Sequence, residues 1–370
     1  MHLLAIGHFG YHEETITLPI LNALERLGAT LHRVGGDFAF FLPENFADQP
    51  RHWLAGLPDA LDIYDALLFL DYWHMGVPMY LYRSIDRTST PPFLGIGHGS
   101  AYIDGDLCLR IPHARDYEDF LWRIYDAVTF PPSDLVRRSM PDHAQRKIHY
   151  APYPIDHFLN EQPQFTYAPK IYHVSRWRPD KGSDRFANFA QYAATTAPSE
   201  VTFAATGLET PLHNIKPLGW LTPDQLRQLA RAGGYFICDA RQEIFPNAVV
   251  RMFAYGLTPL YRADNLAYSA LHLPERLAFT SYDHALQLVA DRTLATPDDW
   301  AAFRAQHADN ATQLAQTILA AAQLQPQPEQ SRPDIHRGHT APPRKNTPTS
   351  ANRSGGASDP HKVGFWGGMV

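Results

Sequence analysis

Short apolar runs alternate with amphipathic stretches twice along this chain, and that alternation constrains the fold more than any single motif does. In the first 155 residues the runs are HLLAIG, ATLHRVG, ALLFLD, PFLGIG, AVTFPP and KIHYAP, with helix-like segments such as TITLPILNALERLG and DYEDFLWRIYD between them. A polar, proline-bearing break follows (NEQPQFTYAPK, residues 160–170). The alternation then restarts with KIYHVSR, EVTFAATG, NIKPLG, GYFICDA, LTPLYR and RLAFTS. Apolar strands separated by helices imply parallel sheets covered on both faces. The expectation is an α/β chain with two doubly wound domains facing each other across a cleft, residues 1–160 and 161–324. One long helix, TPDDWAAFRAQHADNATQLAQTILAAAQ, is expected to close the second domain. Residues 325–370 are rich in Pro, Ser, Gly, Thr and charge, bury too little to order themselves, and are expected to be a disordered tail.

Charge and cysteine usage exclude several classes. Net charge is −6, but the tail carries +3, so the body is strongly acidic; nucleic acid is not the expected partner. Cys108 and Cys238 cannot make a disulfide framework and read as reduced thiols of a cytoplasmic protein. The opening MHLLAIGHFG lacks a basic leader and reads as a first strand. No apolar stretch approaches the ~20 residues needed to span a bilayer, and the best, DALLFLDYWHMGVPMYLY, carries Asp71.

Two stretches carry candidate chemistry. In RQEIFPNAVVRMFAYG, Glu243 lies between a strand and a helix start, where free backbone N–H groups favour an anion and a carboxylate can accept from sugar hydroxyls. Taken alone, an acid near a helix N-terminus is equally a modest stabiliser. In KIYHVSRWRPDKGSDR, Arg176 follows a strand, and Lys181 stands five residues on, just before Gly182 and a helix. Two cations and a glycine turn at the carboxyl edge of a sheet suit a pyrophosphate, although a solvated basic loop has the same composition.

Together these stretches resemble the retaining GT-B glycosyltransferases, specifically the large family four group. The matching residues are Ser175-Arg176 and Lys181-Gly182, then Glu243-Ile244-Phe245-Pro246-Asn247, then Gly256-Leu257-Thr258-Pro259. NIKPLGWLTPDQLRQL looks like the family's base-cradling segment. In the first domain GHFGYHE, GIGHGS and IHYAPYPID match more loosely. The resemblance implies two Rossmann-like domains and a hexose moved from a nucleotide diphosphate sugar to a glycan or lipid-linked acceptor. It implies no metal and no cofactor beyond that co-substrate. By the same resemblance Arg176 and Lys181 neutralise the diphosphate, and Glu243, Phe245 and Asn247 hold the donor sugar. His98 faces the reacting sugar, Gly7 and Gly10 let backbone approach, and Trp220 with Leu221 meets the base. The family has a second acid eight residues after the first, gripping ribose. This chain has Arg251, which either still points to the ribose or pairs with Glu243.

Lesser signals have plainer readings. Asp104-Gly105-Asp106 is an Asp-x-Asp but also an ordinary turn. His8, His12, Glu13 and Glu14 lack a third spaced ligand and read as a polar lip. Gly95, Gly97 and Gly99 do not form a dinucleotide fingerprint. The tail's GFWGGMV leaves open a peripheral contact at the inner face of a membrane, beside disorder without function. Two rival functions share the fold: a catalytically degenerate protein binding a glycan or a partner transferase, favoured by Arg251, and a nucleotide-sugar epimerase or glycan phosphorylase.

Overall fold

The computed structural model describes residues 1–7, 16–35, 61–73, 91–196, 201–212, 214–237, 239–240 and 243–323, the side chains of 35, 107 and 110 excepted. Gly10, the histidines and acids beside it, Cys238 and the tail lie outside the described residues.

The first sheet is built from β1 (His2–Gly7), β2 (Thr30–Gly35), β3 (Ala66–Phe69), β4 (Phe93–Ile96), β5 (Ala127–Phe130) and β6 (Ile148–Tyr150), in the order β2-β1-β3-β4-β5-β6. The second holds β7 (Lys170–His173), β8 (Thr202–Thr206), β9 (Ile215–Gly219), β10 (Tyr235–Ile237), β11 (Thr258–Arg262) and β12 (Ala278–Phe279), in the order β12-β11-β10-β7-β8-β9. Among the described residues every pairing between these strands is parallel. All four residues of β3, β4 and β5 are buried, which is why these strands read as unbroken apolar runs.

The helix expected over 296–323 differs from its sequence reading. It is two helices, Pro297–His307 and Asn310–Ala322, broken at Ala308 and Asp309. A capping box at Thr296 and Asp299 starts the first. No glycine or proline marks the break. Its cause is tertiary: Asn310 Nδ2 donates to the Tyr153 carbonyl at 2.7 Å, and His307 Nε2 meets the Leu271 carbonyl at 3.2 Å. By chain order Asn310–Ala322 follows the second sheet, but it packs on helix Leu18–Arg26 and on β4 and β5 of the first. Its Ala311, Leu314, Ala315 and Ile318 form one buried stripe, with alanines letting the partner helix close in. One apolar cluster therefore runs through both halves, from Leu3 and Ile20 to Val249, Phe253 and Trp300.

Leu314→Ala is expected to lower unfolding free energy by about 2–5 kcal/mol, because the side chain is fully buried in the apolar cluster that runs through both halves. Guanidinium unfolding checks this. A loss below about 0.5 kcal/mol, the size of a surface substitution, would show that the helix does not join them.

Candidate functional site

In the second sheet the strand order reverses between β7 and β10, the position where open parallel sheets form a crevice beyond their carboxyl ends. The loops leaving these two strands carry Arg176, Lys181 and Glu243. After β7 the chain passes Arg176, makes a short turn over Pro179–Lys181, and enters helix Ser183–Thr196 through Gly182 at φ +80°. A Cβ on Gly182 would stand 2.6 Å from the carbonyl carbon of Asp239, so a side chain would hold the two loops apart. With glycine there, Lys181 Nζ reaches Glu243 Oε1 and forms an ion pair. The two side chains are 17% and 14% exposed, so the pair is well withdrawn from solvent. The other carboxylate oxygen, Glu243 Oε2, is buried and meets no hydrogen-bond donor among the described residues.

Neighbouring groups hold both loops. Buried Asp239 accepts from Arg185 Nη1 at 2.8 Å, while Asn265 Nδ2 donates to the Ala240 carbonyl at 2.9 Å. Burial pushes the Asp239 carboxyl up, and Arg185 pulls against that shift. On the other side Thr206 donates to the Ser175 carbonyl at 2.9 Å, and a Cβ on Gly207 would reach the Trp177 nitrogen at 2.8 Å, so the Arg176 loop lies directly on β8's end. His173, fully buried beside Trp177 and Phe186, has its pKa lowered to about 4, chiefly because burial penalises imidazolium; Lys181 adds to this. Near neutrality its ring carries no charge, so the cations of this edge are arginines and Lys181.

The first sheet brings His98 to the same cleft. Its Nε2 lies 2.8 Å from the Leu70 carbonyl, an acceptor, so that nitrogen carries the proton. The His98 ring packs on Tyr153 with centroids 5.5 Å apart, and Tyr153 in turn meets Phe245 at 5.6 Å. The Tyr153 hydroxyl donates to the Gly97 carbonyl. One aromatic ring thus connects the His98 turn with the Glu243 loop, and Ile244 packs into the first half's apolar cluster.

The remaining sequence candidates are placed as follows. Gly7 ends β1, where a Cβ would stand 2.4 Å from the Leu70 side chain, so it is a packing glycine. Asn247 opens helix Asn247–Tyr255. Trp220 is half-exposed and Leu221 packs on the core, both just past β9, with β8 between β9 and β7. The ion pair that Glu243 makes is with Lys181; the Arg251 guanidinium lies 5.9 Å from the Phe158 ring, toward the inter-sheet connection. Asp104 is exposed and 3.6 Å from Arg115, whereas Asp106 is half-buried and caps the turn Leu107–Arg110 through Cys108 N at 2.9 Å, so the two acids diverge. Among the described residues no three His, Cys, Asp or Glu side chains gather to hold a metal ion, and no helix is long and apolar enough to cross a membrane. Sequence reading missed Tyr153, whose role emerges only when both halves are assembled. Burial pushes the Asp106 carboxyl up, hydrogen bonds from Cys108 and the Ser100 backbone oppose that, and the Lys181 charge opposes it too.

A neutral buried histidine fixes a pH dependence. With the folded pKa of His173 below its ordinary value, the unfolded chain takes up this proton first, and the contribution is lost as pH falls from about 6.5 toward about 4. Urea midpoints at about pH 7 and about pH 5 are expected to differ more for the wild type than for His173→Phe. Equal losses in the two proteins would contradict the assignment.

No protein-family model matches this sequence, and no curated protein matches it. Solved structures do. Trehalose-6-phosphate synthase OtsA superposes with a TM-score of 0.59 at 11% identity, covering 88% of this chain and 100% of its own. A structure described as trehalose-6-phosphate from E. coli bound with UDP-2-fluoro glucose gives 0.62 at 10% identity, with the same coverage, 88% and 100%. S. aureus TarM, a point mutant in complex with fondaparinux, α-GlcNAc-glycerol and UDP, gives 0.50 at 12% identity over 70% of this chain and 56% of its own. At such identities the likeness concerns architecture: two parallel six-stranded sheets with the cleft between them, the GT-B fold of these glycosyltransferases.

Proposed function

We propose that the chain is a glycosyltransferase of the family four type, moving a hexose from a nucleoside diphosphate sugar to a glycan or lipid-linked acceptor with retention and without a metal. The observation that carries this reading is the meeting of Lys181 and Glu243 at the β7/β10 crevice, with Arg176 on the same loop and His98 linked to the Glu243 loop through Tyr153 and Phe245. Arg176 and Lys181 suit the diphosphate and the charge that grows on it as the anomeric C–O bond breaks. Glu243 suits the sugar, since its buried Oε2 has acceptor capacity and meets no donor among the described residues. When the diphosphate arrives, Lys181 exchanges one anion for another. The acceptor oxygen then bonds to the anomeric carbon, and its proton passes to the departing phosphate oxygen. The solved structures carrying UDP or UDP-2-fluoro glucose make UDP the first nucleotide to test.

A second reading has its own observation. Arg251 stands where the family places its ribose acid and lies toward Phe158, which suits a catalytically degenerate protein that binds a glycan or a partner transferase. Thermal shifts with UDP, GDP, ADP and CMP, with and without manganese, separate the two when followed by product analysis with the sugar conjugates. A metal-independent shift with transfer is expected, and a shift without transfer selects the second reading. No shift with any nucleotide overturns the transferase reading and also selects the second.

Arg176→Ala is expected to weaken nucleoside diphosphate binding about tenfold or more, the loss of one charge-assisted contact. Glu243→Gln is expected to keep nucleotide affinity within about twofold while transfer falls at least about a hundredfold. Calorimetric titration and product formation check the two. Unchanged transfer in Glu243→Gln would contradict its role.

A further inference from the structure

Helix Ala114–Ile124 buries an acid. Glu118 is fully enclosed, and its carboxylate meets four donors. Oε1 accepts from the Tyr72 hydroxyl at 2.6 Å, the Ser100 hydroxyl at 2.8 Å and Trp122 Nε1 at 3.2 Å, and Oε2 accepts from the Ala101 amide at 2.6 Å. Tyr72 belongs to the segment leaving β3, and Ser100 and Ala101 belong to the segment leaving β4. One buried carboxyl therefore fastens together the two loops between which His98 sits, its Nε2 on the Leu70 carbonyl of one loop and its backbone in the other. A core acid with four donors costs much less than an unsatisfied one, yet an apolar residue would cost less still. Holding two loops in one register is what the acid provides.

We propose that Glu118 is the positioning residue for the first-sheet half of the cleft, setting the His98 ring against Tyr153 and hence toward the Glu243 loop. The role in transfer rests on the function proposed above; the placement of His98 does not.

The surroundings suit this task. Tyr72's hydroxyl has a second acceptor in the Gly99 carbonyl at 3.0 Å, and Ser100's has Met140 Sδ at 3.4 Å. Burial raises the Glu118 carboxyl to about 7 against the pull of its donors. Nearby, Asp106 and Asp71 sit closest in charge to the buried Cys108 thiol, with Glu118 a weaker neighbour, and Asp119 holds Tyr102; none of these replaces a Glu118 contact.

The test uses the full chain and diethyl pyrocarbonate, which modifies neutral imidazole, with peptide mass spectrometry reading each histidine. In Glu118→Gln the rate at His98 is expected to rise about tenfold, as a loosened loop opens more often, while buried His173 and His307 react as in the wild type. Uniform acceleration at all three would report global destabilisation and overturn a specific role. Tyr72→Phe, which removes one donor and keeps the ring, decides the matter if Glu118→Gln does not fold. His98 reactivity within about twofold of wild type in a folded variant contradicts the proposal. With the best sugar nucleotide, turnover is expected to fall about ten- to a hundredfold at unchanged donor KM. A fall confined to KM would overturn it. A chain that transfers from no sugar nucleotide fails the transfer reading alone, and the histidine rates still decide where His98 is held.

Discussion

The Lys181–Glu243 ion pair orders the rest of the cleft. It joins the loops leaving two neighbouring parallel strands, β7 and β10, at the point where sheet order reverses, and it exists because Gly182 allows those loops to touch. A pair this withdrawn from water gains little net stability, since desolvation offsets attraction. Its worth lies in readiness: both charges are already stripped of much of their hydration, and the electrostatics of any anion entering beside them are correspondingly strong. The neutrality of His173 behind them keeps the local charge pattern independent of pH near neutrality.

The second constraint is the joint between the sheets. Tyr153 gives its hydroxyl to Gly97, its carbonyl to Asn310 and its ring to both His98 and Phe245. Asn310 also contacts His307, which reaches Leu271 in the second half. The returning helix Asn310–Ala322 closes this joint with apolar area. The halves that supply Glu243 and His98 are therefore set against one another by a small set of buried polar groups in an apolar seam, the arrangement that fixes geometry at some cost in stability.

Much of the architecture was legible because strands buried on both faces announce themselves. ALLF, FLGI and AVTF have no polar position to mislead a reader beyond one threonine, and the glycine after Lys181 marks a turn that only glycine fits. The helix break at Ala308 and Asp309 was not legible, since residues there are acceptable in a helix and the cause is a carbonyl far away in sequence, at Tyr153. Glu118 was hidden for the opposite reason: an acid on a helix reads as solvated. Its spacing was the available signal, four residues after Ala114 and three and four before Leu121 and Trp122, on the apolar stripe. The Asp-x-Asp of Asp104 and Asp106 shows the converse, two like residues in a motif whose side chains serve unrelated partners.

The most direct measurement is a crystal structure of the chain grown with UDP. The diphosphate is expected in the β7/β10 crevice, with Lys181 Nζ moved from Glu243 onto a phosphate oxygen and the Glu243 carboxylate turned toward the space a sugar would fill. A closed Lys181–Glu243 pair with UDP bound elsewhere on the molecule would contradict the assignment of this crevice as the donor site.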